Sequence, residues 1–161
     1  MRLKDRLELA IQLIVDHHER GLMVLDGSAA PSTDELAEVV RLANIDVPKD
    51  ASPEMRRLMR AEEIEEVVGL VGGWQRIAGA AAYVRERYPE SWTIFEEYVT
   101  FAEPGGVSHL EGESVIKRLS ERHTLDKDTI VRRRRAIIYL IAKCAIMCPD
   151  RQLALPFAPK N

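Results

Sequence analysis

An all-α fold is what this sequence predicts, and three observations carry the expectation. Apolar residues recur every three or four positions, no stretch alternates with period two for long, and Pro or Gly falls where helices would end. With 46% apolar and 30% charged residues the chain has material for a core and a solvated surface, unlike a disordered acidic tail. Its 161 residues suit one domain or two very small helical ones.

The elements follow in order. Leu3, Leu7, Ala10, Ile11, Ile14 and Val15 keep a 3.6-residue period and predict a first helix over residues 3–20, ended near Gly21. Residues 22–31 read as a Gly/Ala/Pro-bearing loop. Ser32 or Thr33 caps a helix running to residue 44, with Asp34 and Glu35 suited to the positive end of its dipole. Pro48 to Pro53 forms a break, and Ser52-Pro53 reads as the N-cap and first-turn Pro of a helix reaching Val71. Gly72-Gly73 separates that helix from one over residues 74–88, whose Gly79-Ala80-Ala81-Ala82 run permits close helix–helix approach. Pro89 is expected to end it. Ser91 caps a short helix through Phe101, where Trp92, Phe95, Tyr98 and Val99 supply bulk.

Pro104-Gly105-Gly106 is the clearest boundary. From Ser114 to about Met147 the pattern is helix, short turn and long helix. Val115, Ile116 and Leu119 give the first an inward stripe, Thr124-Leu125-Asp126 interrupts, and Asp126 caps the second. Ile130, Ile137, Ile138, Ile141 and Ala145 point that helix inward and leave Lys127, Arg132, Arg133 and Arg135 outward. Six or seven helices are predicted. They divide into an acidic helical body (residues 1–103), a basic unit (104–148) and an extended tail (149–161).

Charge supports the division. The net charge of −3 hides 12 Lys/Arg against 20 Asp/Glu in residues 1–110, and 11 against 6 in residues 111–161. Contact with a polyanion is therefore expected only at the C-terminal end. No run approaches 18 apolar residues, so no membrane partner is expected. Cys144 and Cys148, four residues apart, suit buried thiols in a reducing cytoplasm.

Residues for catalysis, a cofactor or a metal are not evident, and no enzyme is expected. His17-His18 sits beside Asp16 and Glu19, but adjacent helical residues point about 100° apart, so both histidines are expected at the surface. His109 and His123 have no ligand spacing. Glu62, Glu63, Glu65 and Glu66 read as a solvated face, and Trp74 as core. Gly69 through Gly73 lacks the Lys-Ser/Thr of a phosphate loop.

One segment carries a resemblance. The run Leu119-Ser120-Glu121-Arg122-His123-Thr124-Leu125-Asp126-Lys127-Asp128-Thr129-Ile130 is similar to the helix-turn-helix pattern Ile-Ala-x-x-Leu-Gly-Ile-Ser-x-x-Thr-Val. It resembles the form found in sigma-factor region 4 and in phage late-gene regulators, over about 30 residues. Leu125 stands as the apolar plug of the turn and Asp126 as the cap. His123 and Thr124 replace the usual Leu and Gly, and Gly suits a turn residue that needs positive φ. The resemblance implies a double-stranded DNA partner, with the second helix in the major groove. Lys127 and Arg132 would then meet base edges, Arg133 and Arg135 phosphates, and Asp128 could accept from cytosine N4. The other reading of these arginines is a solvated face or a salt-bridging surface against the acidic body.

A second resemblance lies in the tail. Gln152-Leu153-Ala154-Leu155-Pro156-Phe157 is similar to the hexapeptide that binds the bacterial DNA polymerase sliding clamp, Gln-Leu-(Ser/Asp)-Leu-Pro-(Leu/Phe). It implies polar contacts from Gln152, an apolar pocket for Leu155 and Phe157, and Leu153 lying along the groove. Pro156 stiffens the peptide and lowers the entropy lost on docking. The alternative is that Leu153, Leu155 and Phe157 pack back on the domain as a clasp. Together the resemblances imply a DNA-binding protein of transcription or replication tethered to the clamp. An adaptor that docks on the clamp without contacting DNA stays open, as does a homo-oligomer.

Overall fold

The computed structural model describes residues 2–46, 59–101, 109–150 and 153; the side chains of 46 and 109–114 lie outside that description. Among the described residues there are eight α-helices and no strand, so the all-α expectation holds. They are α1 (Leu3–His17), α2 (Gly21–Leu25), α3 (Thr33–Asp46), α4 (Ala61–Val71), α5 (Trp74–Arg87), α6 (Pro89–Phe101), α7 (His109–His123) and α8 (Lys127–Met147).

Two boundaries have a clear local cause. α3 begins with a reciprocal capping box: the Glu35 amide donates to Ser32 Oγ at 3.1 Å, and the Ser32 amide donates to Glu35 Oε1 at 3.2 Å. α4 ends at Gly72, whose φ of 112° belongs to the left-handed region. The Gly73 amide closes the turn by donating to the Val68 carbonyl at 2.9 Å. A Cβ on Gly72 would also lie 2.7 Å from Arg76 Cδ.

Several sequence expectations need correction. Gly21 does not end the first helix. α1 stops at His17, and Gly21 opens α2 within the segment read as loop. A Cβ on Gly21 would lie 2.8 Å from the Ile14 carbonyl oxygen, so glycine allows α2 to press against the end of α1. The helix expected from Pro53 is not continuous to Val71, because Arg60 is extended and α4 starts at Ala61; the Ser52-Pro53 cap itself lies outside the described residues. Pro89 is the first residue of α6, a position where its missing N–H costs no helical bond. The Ser91 cap is therefore not used.

α8 is the helix around which the others gather. It packs against α1, α5, α6 and α7. Ile137, Ile138, Ile141, Ala142, Cys144 and Ala145 join the main core, with Leu7, Ile11 and Ile14 of α1, Ile64 and Val67 of α4, and Ile77 and Ala81 of α5. The buried Gly79, Ala80 and Ala81 give α5 a low profile where backbones come near. The boundary at residue 104 therefore does not isolate α8, since its C-terminal half is core for the preceding helices. A second, smaller cluster joins Ile94 and Tyr98 of α6, Val115 and Leu119 of α7, and Ile130 of α8. Burying side chains of this size is worth about 1.5–3 kcal/mol each, so the α7–α8 corner is fastened by its own core.

Candidate nucleic-acid interface

The turn between α7 and α8 is built by its sequence. Thr124 adopts φ 55°, the left-handed conformation that a glycine would take without strain. The Leu125 amide donates to the Ser120 carbonyl at 3.1 Å, the long bond of a left-handed helix stop. Leu125 then packs against the second core cluster, and the Ser120 hydroxyl donates to the Leu125 carbonyl. Asp126 caps α8, its carboxylate accepting from the Thr129 amide at 2.7 Å; that hydrogen bond lowers its pKa. Thr124→Gly should stabilise the protein by about 1 kcal/mol through relief of the left-handed strain. Urea unfolding checks this, and a loss of stability would show that the hydroxyl or methyl contributes more than the strain removes.

Glu97 on α6 pins the end of α7. Its carboxylate lies 3.2 Å from both Arg122 Nε and His123 Nε2. On the far side of the corner the arginine quartet divides. Arg132 is exposed, its guanidinium donating to Thr129 Oγ1 at 3.2 Å. Arg133 is half-buried and Arg135 exposed. Arg134 turns inward: its side chain is 13% exposed, it pairs with Asp16 at the end of α1 (19% exposed), and it stacks 4.0 Å from the Tyr98 ring centroid. Burial pushes the Tyr98 phenol up, with the Asp16 charge acting in the same direction.

Asp128, Arg132 and Arg135 thus share an exposed face, with Arg133 at its edge, while Lys127 is exposed at the first turn of α8 in helical phase with Ile130 and Arg134. Sequence reasoning missed what stands opposite. Arg132 and Arg135 line a groove between α8 and α1 whose other wall carries Asp5, Glu8 and Gln12, over Leu9, Ala136, Ile138 and Tyr139. Helical spacing shows that α1 has an acidic edge, but only the tertiary crossing puts that edge beside these arginines.

The tail is described at one residue of its hexapeptide. Leu153 is 7% exposed and belongs to the main core. Gln152, Leu155, Pro156 and Phe157 lie outside the described residues. Arg76 holds the approach to the tail, donating to the Ala145 carbonyl at 2.6 Å and the Cys148 carbonyl at 2.5 Å, and pairing with Asp150.

The surface expected for His17 and His18 is corrected at His18, which is 7% exposed. Its Nε2 lies 2.8 Å from Glu35 Oε2, and its Nδ1 accepts from the Arg20 amide. Glu35 is lowered to about 2, first by the Ser32 backbone bond and then by the Arg20 guanidinium. Among the described residues no group of three His, Cys, Asp or Glu side chains is placed to hold a metal ion. Cys144 is buried, and its pKa is raised to about 11 by burial and by the neighbouring Cys148 thiol, which disfavours the reactive thiolate. No helix among the described residues is long and apolar enough to cross a membrane.

Comparison of the chain with protein-family models, with curated proteins and with solved structures finds no match.

Proposed function

We propose that this protein binds double-stranded DNA through a helix-turn-helix formed by α7 and α8, and that its C-terminal hexapeptide tethers it to the replication sliding clamp. The observation that carries the DNA reading is the turn. Thr124 takes the left-handed conformation where the resembling pattern has Gly, Leu125 packs inward, and Asp126 caps the helix that presents Lys127, Asp128, Arg132 and Arg135. Between residues 115 and 135 there are eight Lys/Arg against three Asp/Glu, which favours a polyanion at this corner.

The test is titration of the full chain against random duplex DNA over a series of salt concentrations. Affinity should fall linearly with salt on logarithmic axes. Arg132→Ala with Arg133→Ala should weaken binding by roughly tenfold or more at constant melting temperature, the order expected on losing one base-edge and one phosphate contact. Unchanged affinity would remove this surface from the proposal.

The tether rests on the resemblance of the hexapeptide, in particular Gln152, Leu155 and Phe157. Leu153, expected along the clamp's groove, is seated in the domain's own core, as the clasp alternative has it. Phe157→Ala should cost about 2 kcal/mol or more of clamp binding, the scale of an aromatic anchor, with little change in melting temperature. Leu153→Ala should instead lower folding stability by about 2 kcal/mol, because Leu153 sits in the core. A binding isotherm and a melting curve on both variants check the pair, and clamp affinity indifferent to Phe157 would sink the tether.

One observation favours the adaptor reading, in which the clamp is bound and DNA is not. Asp5 and Glu8 share a groove with Arg132 and Arg135 and would repel phosphate there. Clamp binding without salt-dependent DNA binding in the same titrations would select it.

A further inference from the structure

The exposed face of α8 does not stop at the arginines. Residues 128, 132, 135, 136, 139, 143 and 147 are all exposed, at spacings of one or three to four residues, so one solvent-facing stripe runs along most of the helix. Toward its C-terminal half stands Tyr139, with two ammonium groups gathered around its ring. Lys4 Nζ of α1 lies 4.4 Å from the ring centroid, and Lys143 Nζ lies 6.0 Å from it. Among the described residues neither lysine is ion-paired with a carboxylate. Lys4 of α1 and Arg132, Arg135 and Lys143 of α8 stand with Asp5 and Glu8 on these two helices, and Arg2, the N-cap residue of α1, lies 3.6 Å from Asp5. The ring attracts Lys4 at close range and Lys143 at the outer limit of such a contact, and so favours both cations on this patch.

We propose that Lys4, Tyr139 and Lys143 form a second phosphate-binding site that grips the DNA strand flanking the groove entered by the start of α8. This rests on the DNA reading above and extends it to a surface that the resemblance does not reach. Length decides the placement. At 1.5 Å per residue, Lys127 and Lys143 are about 24 Å apart along the helix, whereas the major groove is about 12 Å wide. If the N-terminal turns of α8 sit in the groove, the Lys143 end overruns its edge and meets the sugar–phosphate backbone. The N-terminal turn of α1 crosses α8 there and adds Lys4 from a second element, so the site does not depend on one flexible side chain. Glu8 works against it, because it lines the groove that Tyr139 shares with Arg132 and Arg135.

The full-length protein tests this with duplex DNA as the probe. Lys4→Ala with Lys143→Ala should weaken binding by roughly tenfold at low salt and reduce the slope of log affinity against log salt by about 1.8, about 0.9 for each phosphate released. Lys4→Arg with Lys143→Arg should restore the slope, and Glu8→Gln should tighten binding. A slope unchanged by the double alanine variant, while Arg132→Ala with Arg133→Ala weakens binding as expected, overturns the second site and leaves the DNA reading standing. Absence of salt-dependent duplex binding by the unmodified protein overturns both. A fall in melting temperature for the double alanine variant, together with arginine variants that fail to rescue affinity, would assign the lysines to packing and also overturn the site.

Discussion

Arg134→Ala is expected to destabilise the fold by about 3 kcal/mol, the cost of breaking a largely buried ion pair. The neighbouring Arg133→Ala should stay within about 0.5 kcal/mol, as surface substitutions do. The difference arises from helical phase. Arg134 points into the body, where its guanidinium meets Asp16 and covers the Tyr98 ring at 4.0 Å, whereas Arg133 stands at the edge of the exposed face. Truncating Arg134 leaves the Asp16 carboxylate, 19% exposed, without that cation, and also uncovers the ring. Arg134→Met should be milder than Ala, because an unbranched chain of similar length refills the space over Tyr98. Urea unfolding of the three variants measures the order. Equal stability for Arg134→Ala and Arg133→Ala would mean that the quartet is a uniform surface.

Arg76→Ala should cost about 2–3 kcal/mol, in line with hydrogen bonds made by charged groups in partly buried surroundings. The guanidinium is 17% exposed, and three separate nitrogens reach the Ala145 carbonyl, the Cys148 carbonyl and Asp150. The Ala145 carbonyl is among the last four of α8, which have no amide of their own helix to bond, and Cys148 is the C-cap residue that follows. Arg76→Lys should recover little, because an ammonium cannot spread donors over three directions at once. Thermal melting separates these outcomes. A lysine variant as stable as the native protein would show that charge alone matters there.

The sequence made most of the helices legible because their apolar residues keep phase with a 3.6-residue turn. The same phase turned Arg134 inward and Arg132 and Arg135 outward, left Arg133 at the edge, and put Ile130 beneath the corner. Legibility failed where a boundary depends on a neighbouring element. Gly21 reads locally as a stop, yet its lack of a side chain serves the contact of α2 with α1. Pro89 ends one helix in any local reading, but a single non-helical residue at Tyr88 makes it the start of the next. His18 is buried because Glu35, 17 residues away on another helix, supplies its partner. The groove beside Arg132 and Arg135 has the same origin, since its two walls come from opposite ends of the chain. Asp16 and Arg134 are 118 positions apart, and no local pattern links them.

The seat of Leu153 sets a leash length. With that side chain in the core, Phe157 follows only four residues later. A fully extended chain spans about 3.3–3.6 Å per residue, so Phe157 can reach no more than about 14 Å from its anchor. Any partner that takes the Phe157 ring while Leu153 stays seated must come up against the surface of the domain itself. Such a complex would be a close-fitting pair held at a fixed angle, and a partner requiring a free-swinging tether would first have to pull Leu153 out.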